Sequence, residues 1–156
     1  MPLAPESSAT VSRRQATPAD TDFARSVHHL AYRDVIERQY GPWDEARQDG
    51  YFDSAWSAKA HEIILLDGAR CGYTRIENQN DAIYLRELVI HPDFQGLGIG
   101  GCIIRAVIER AIAKRVPVRL HTHIVNRAAN LYRRMGFQET ERTEFHLFME
   151  WNHGAA

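Results

Sequence analysis

Cysteine and lysine are scarce in this chain: 2 of its 156 residues are Cys, and of 19 basic residues only Lys59 and Lys114 are Lys. Cys71 and Cys102 stand far apart, outside any CxxC or Cys/His spacing, which argues against a disulfide framework or a zinc-type ligand set. Both are expected as reduced thiols in or near the core. Charge of one sign is also missing. The 19 basic and 20 acidic residues leave a formal charge of -1, which argues against a partner as anionic as nucleic acid. No apolar run approaches membrane-spanning length, Ile63 to Leu66 being typical. No basic segment followed by an apolar core opens the chain, so no signal peptide is visible and a soluble, cytoplasmic protein without a membrane partner is expected. There is no internal repeat. At 156 residues and 44% hydrophobic, the chain is long enough for one well-buried core and short for two.

Residues 1–9 are rich in Pro, Ser and Ala and are expected as a flexible tail, with a single domain over residues 10–152. Val11 to Gln15 suggests a first strand. Thr17-Pro18-Ala19-Asp20 is a helix start, and Phe23, Val27, Leu30, Ala31 and Val35 follow at three- and four-residue steps to about Gln39, before Gly41-Pro42. Trp43 to Trp56 suggests one or two short helices. Residues 61–66 and 71–76 flank Asp67-Gly68 as a hairpin, and a third strand runs from Ile83 to Ile90. After a glycine-rich loop, Ile103, Ile104, Val107, Ile108, Ala111 and Ile112 mark a strong helix. Val118 to Val125 reads as a strand and Asn126 to Met135 as a short helix. Phe145 to Trp151 reads as a last strand, with residues 137–142 as its partner. This order predicts an α/β (α+β) domain with a mixed sheet.

Gln95, Gly96, Leu97, Gly98, Ile99, Gly100 and Gly101 lie between a strand and a helix start, where free backbone N–H groups and the helix dipole favour an anion such as a phosphate. Gly96, Gly98 and Gly101 satisfy GxGxxG, but the loop follows a meander. The region about twenty residues on, Arg119-Leu120-His121-Thr122-His123, holds no carboxylate, so the dinucleotide reading fails. No Lys-Ser or Lys-Thr follows the glycines, which excludes a P-loop. His121 and His123 share one strand face without an evident third ligand, and no metal is expected. His28 and His29 fall about 100° apart on a helix, so their side chains are expected to diverge.

Three linked motifs resemble the GNAT superfamily of acetyl-coenzyme-A-dependent N-acetyltransferases. Gln95, Gly98 and Gly100 match its Arg/Gln-x-x-Gly-x-Gly/Ala signature. Glu87 to Phe94 resembles its bulged fourth strand and exit, and Asn126, Ala129, Leu131-Tyr132 and Gly136-Phe137 its last helix. The resemblance covers residues 60 to 151, with residues 11–56 fitting only in outline. It implies a mixed, mostly antiparallel sheet of six to seven strands flanked by about four helices, the bulged fourth strand splayed from the fifth. It also implies acetyl-coenzyme A as cofactor, with its pyrophosphate on Gln95 to Gly101 and its pantetheine along the backbone of Leu88, Val89 and Ile90 and near Asn126 and Tyr132. A backbone N–H at Leu88 or Val89 would polarise the thioester carbonyl.

An amine must lose a proton before it attacks the thioester, and Glu87 is the candidate base, with Tyr84, His121 and His123 as fallbacks. Tyr132 occupies the family's position for the acid that meets the leaving thiolate. The competing roles are a surface charge exchange of Glu87 with Arg86 or Arg119, and core packing for Tyr132. The acceptor side would include Tyr32, Trp43 and Asp44, aromatic and acidic groups that suit a cationic amine. The function implied is N-acetylation of a small-molecule primary amine in a ternary complex. The alternatives are a non-catalytic acyl-coenzyme-A-binding or sensing domain, or a protein N-terminal or lysine acetyltransferase. A homodimer is common among relatives and is not decided by these residues.

Overall fold

The computed structural model describes residues 9–153, so the expected tail lies, apart from Ala9, outside the described residues. Strand β1 (Val11–Gln15) leads through a 3-10 turn at Pro18–Asp20 into helix α1 (Thr21–Gln39). Asp20 holds this corner. Its carboxylate accepts from the Thr17 N–H at 2.9 Å, from Arg14 at 2.8 and 2.9 Å, and from Arg70 at 3.2 Å, while only 2% of the residue is exposed. The hydrogen bonds from Arg14, then those from Thr17 and Arg70, outweigh desolvation and hold its carboxyl well below the usual carboxylate range. A depressed folded-state pKa contributes stability above the unfolded value of about 3.9, and that contribution is lost as pH falls below it. Asp20→Asn is therefore expected to lower the melting temperature at pH 7 and to flatten its fall between about pH 5 and pH 2. Parallel acid melting curves for the two proteins would contradict this.

The region expected as one or two helices is one, α2 (Glu45–Ala55), with Asp44 accepting from the Arg47 N–H at 2.9 Å as its N-cap. Strands β2 (Glu62–Leu66) and β3 (Ala69–Asn78) form the expected hairpin; Asp67 and Gly68, at φ 50° and 85°, give the turn the hand that strand twist requires. Strand β4 (Ile83–Ile90) completes the meander. Helix α3 (Ile99–Lys114), strand β5 (Val118–His123), helix α4 (Ala128–Arg134) and strands β6 (Gln138–Arg142) and β7 (His146–Trp151) follow. Strand β5 stops short of Val125, and α4 begins after Asn126, whose side chain accepts from the Ala128 N–H at 3.0 Å. Asn126 thus caps from just outside the helix.

The seven strands order as β1-β2-β3-β4-β5-β7-β6, antiparallel throughout except between β4 and β5. Along β4, Ile83 and Leu85 pack toward α3, and so do Leu88 and Ile90, an apolar step of two, three and two. The extra residue is Arg86. The register runs from Leu85↔Ile76 to Glu87↔Arg75 and leaves Arg86 without a partner, a β-bulge that turns Glu87 and Val89 to the opposite face, where α1 packs. The freed Glu87 carbonyl accepts from the buried Thr74 hydroxyl at 2.6 Å. Cys71 is buried as expected, whereas Cys102 is exposed: it falls on the outer side of α3, away from the Ile103, Ile104 and Val107 stripe.

Candidate active site

Beyond the bulge β4 and β5 separate. They pair only at Ile83↔Val118 and Tyr84↔Arg119, leaving the residues from Leu85 to Ile90 with no strand on their β5 side. Over this gap, between α1, α2 and the sheet, lies a cavity of about 640 Å³. It is lined by Glu87 and Leu88 from β4, His121 and His123 from β5, Asn126 and Tyr132 from the α4 region, and His28 and Tyr32 from α1. The bulge, the strand parting and the inward face of α1 all serve one space.

Glu87 is held by a residue the sequence did not single out. His61, wholly buried, points Nε2 at Glu87 Oε2 across 3.1 Å. At the other side of the ring Nδ1 meets the Ser57 backbone, 2.8 Å from its carbonyl oxygen and 3.2 Å from its N–H. The ring stacks on Trp56, with centroids 4.4 Å apart, and meets Tyr73 edge-on at 5.8 Å. The competing exchange of Glu87 with Arg86 or Arg119 does not form, since Arg86 pairs with Glu77, and Arg119 with Glu150 and Asp81.

Tyr132 is buried against Phe137 at the cavity wall, and desolvation pushes its phenol up to about 12. Burial also raises the phenols of Tyr32 and Tyr73, with the charge of Glu87 adding to both. The cavity imidazoles go the other way. Burial and then neighbouring imidazoles lower His28 to about 4, His123 to about 4, and His121 by a smaller shift, so all three are neutral at pH 7. The described residues include one group of three ligand-bearing side chains within 4.8 Å, His29, Glu45 and Asp49. The 2.7 Å contact of His29 Nε2 with Asp49 Oδ1 makes it a hydrogen-bonded group.

The glycine loop closes the end of the gap where β4 stops. Gln95 donates to the Ile90 carbonyl at 3.0 Å, and Gly96 and Gly98 adopt φ of 79° and 83°, a region open to glycine and strained for other residues. Gly98 is the N-cap of α3, so the first N–H groups of that helix, from Ile99 to Gly101, have no carbonyl within the helix to bond. A Cβ on Gly100 would stand 3.2 Å from Leu131 of α4, so a side chain there would narrow the cleft. Unpaired strand edge, bare helix N-terminus and glycine cradle fit an elongated ligand with a phosphate at one end and an amide-bearing arm along the strand.

Of the acceptor-side candidates, Tyr32 and Asp44 line the cavity. Trp43 does not: it meets His29 edge-on at 5.1 Å, lies under Arg33 and donates to Glu45 at 2.6 Å, on the outer side of the helix pair. Of the fallback bases, His121 and His123 line this cavity, and Tyr84 lines a smaller one beside β5.

A family described as "Acetyltransferase (GNAT) domain" matches residues 56–139. An uncharacterized N-acetyltransferase of Methanocaldococcus jannaschii is 28% identical over 144 residues, 85% of this chain, which spans 62% of that protein's length. Thialysine N-epsilon-acetyltransferase of Bos taurus is 30% identical over 158 aligned positions, covering 90% of this chain and 92% of that protein. In three dimensions, the PaiA N-acetyltransferase of Thermoplasma acidophilum, crystallised with coenzyme A, superposes with a TM-score of 0.70 at 15% identity, over 92% of this chain and 99% of that one.

Proposed function

Because this chain belongs to the GNAT acetyltransferase family, we propose that it transfers the acetyl group of acetyl-coenzyme A to the primary amine of a small molecule by direct attack in a ternary complex. The observation that carries this reading is the parting of β4 from β5, with the glycine loop at one end and Glu87 facing the adjoining cavity. Residues Gln95 to Gly101 hold the pyrophosphate, and the free edge at Leu88 and Ile90, on either side of Val89, hydrogen-bonds the pantetheine arm. Acetyl-coenzyme A supplies an activated thioester. The Leu88 backbone N–H stabilises charge developing on its carbonyl oxygen.

Glu87 takes the proton that an ammonium must lose, directly or through water. Tyr132 faces the leaving sulfur. With its phenol near 12 and a thiol near about 8.5, complete proton transfer from Tyr132 is uphill by about 5 kcal/mol. Tyr132 therefore acts as a hydrogen-bond donor to the departing thiolate, an interaction worth about 1.5–3 kcal/mol. Tyr132→Phe is expected to lower kcat about 10- to 100-fold while the affinity for coenzyme A stays the same; unchanged turnover would return Tyr132 to core packing.

The Bos taurus relative acts on thialysine by its name, and thialysine carries an amine at one end and a carboxylate at the other. Trp56 Nε1 and Arg75 Nε are the buried side-chain nitrogens without a partner among the described residues, and both residues line the cavity. Two orphan donors suit the carboxylate of such an acceptor, which makes thialysine the first amine to assay. The test of the whole reading is calorimetry with acetyl-coenzyme A, coenzyme A, NAD and ATP, followed by turnover. Gly98→Trp, at a φ of 83°, is expected to weaken coenzyme A binding at least about tenfold. No binding by the wild type, or equal binding of NAD, would overturn the proposal.

A further inference from the structure

His28 and His29 do not diverge. Their Nδ1 atoms lie 2.9 Å apart, with ring centroids at 5.2 Å. Adjacent helical positions set the Cβ directions, and rotation about the two side-chain bonds brings the rings together above α1. Two like nitrogens at bonding distance share one proton, because two N–H groups would collide and two lone pairs would repel.

The position of that proton follows from the next contact. His29 Nε2 stands 2.7 Å from Asp49 Oδ1 on α2, and since a carboxylate only accepts, the hydrogen is on Nε2. If His29 carries that hydrogen alone, its Nδ1 is the acceptor and His28 Nδ1 the donor, which leaves His28 Nε2 as a bare lone pair. Burial lowers His28 to about 4, in keeping with a neutral ring at pH 7. Among the described residues nothing bonds His28 Nε2, and His28 lines the cavity that holds Glu87. At the other end, the Asp49 side chain is 42% exposed while that of His29 is 13% exposed. A continuous line of hydrogen bonds therefore runs from the cavity, between α1 and α2, to solvent.

We propose that His28, His29 and Asp49 form a proton path that relieves the occupied cavity of the acceptor amine's proton during the transfer. The inference rests on the acetyl-transfer reading, in which thioester and ammonium give amide, thiol and one proton. That proton, drawn off by Glu87, bonds to His28 Nε2. The His28 Nδ1–H proton passes to His29 Nδ1, the His29 Nε2–H proton passes to Asp49, and Asp49 releases it to water. One N–H bond forms and one breaks at each ring, so each stays neutral after the passage. When the products leave, the opened cavity takes the proton from His28 Nε2 and the line shifts back as one enters at Asp49. The path thus holds the cavity free of that proton during the transfer, and the net proton of the cycle leaves with the products. The groups facing His28 are His29 and Tyr32 on α1, Phe52 on α2, Glu87 on β4 and His123 on β5. Those facing His29 are Trp43, Glu45 and Asp49.

Nitrogen-15 histidine labelling of the full chain reads the tautomers without any activity, with His28→Gln and His29→Gln to assign the signals. The expected result at pH 7 is a neutral His28 protonated at Nδ1, a neutral His29 protonated at Nε2, and a nitrogen–nitrogen coupling across the Nδ1 pair. A His28 protonated at Nε2, or either ring charged, overturns the path. With an amine that turns over, Asp49→Asn is expected to lower kcat about tenfold, to leave KM for acetyl-coenzyme A unchanged and to enlarge the solvent deuterium effect, and Asp49→Glu to restore both. Wild-type kcat and isotope effect in Asp49→Asn overturn the path even if the tautomers are as expected. A wild type with these tautomers that binds coenzyme A yet acetylates no amine overturns the transfer reading instead.

Discussion

Glu87→Gln is expected to lower kcat by about 10²- to 10⁴-fold, the span typical of losing a positioned base, with coenzyme A binding and melting temperature close to those of the wild type. The amide has the shape of the carboxylate and, with both an oxygen and an NH2, can hydrogen-bond His61 Nε2 in either tautomer, where Glu87 Oε2 now stands 3.1 Å away. His61 therefore keeps its place between Trp56 and Tyr73, and the cavity wall is preserved. What is removed is the capacity to hold a proton. Steady-state kinetics at saturating acetyl-coenzyme A checks it, and a kcat within about threefold of wild type would leave deprotonation of the amine to solvent or to the imidazoles.

Gly72→Ala is expected to be the most damaging small substitution in the sheet. An added Cβ at Gly72 would stand 2.2 Å from the Val89 carbonyl oxygen and 3.1 Å from Ile90 Cα, both backbone atoms of the strand paired with it. Neither can swing aside as a side chain does, so β3 and β4 must move apart. Overpacking of this kind costs about 3 kcal/mol or more, which for a domain of this size is a fall of about 6–12 °C in melting temperature. Because the strand displaced carries Leu88 to Ile90, binding of coenzyme A should weaken with it. A melting temperature within about 2 °C of the wild type would show that the sheet absorbs the methyl group.

How far the sequence reaches depends on the length scale of each signal. The meander, α1 and α3 are legible because their apolar periodicities run over whole elements. The bulge in β4 came only with the family resemblance of Glu87 to Phe94; the structure shows its pattern in Ile83, Leu85, Leu88 and Ile90, which break strict alternation by one residue, and that break aims Glu87 at the cavity. His61 was not, since it lies between α2 and β2 in no periodic segment, and its role rests on Trp56 and Glu87, which are distant in sequence. The His28–His29 contact escaped because helical spacing fixes where side chains begin and not where their ends meet. Trp43 looked like an acceptor-side aromatic, but it follows Gly41-Pro42 just before α2, and that break places its ring outside the helix pair.

The parting of β4 from β5 makes the sheet two leaves, of four strands and three, joined along a short spine of two residue pairs. Each leaf has an inner margin of amides that, in the empty protein, have solvent to bond. Those on the β4 margin should exchange with deuterium quickly beside the protected amides they share with β3. A molecule lying along that margin supplies the carbonyls the missing strand would have supplied, and exchange there should slow in proportion to its occupancy. Whatever fills the gap thus also binds the two leaves together, and the stability of the whole domain rises with its concentration.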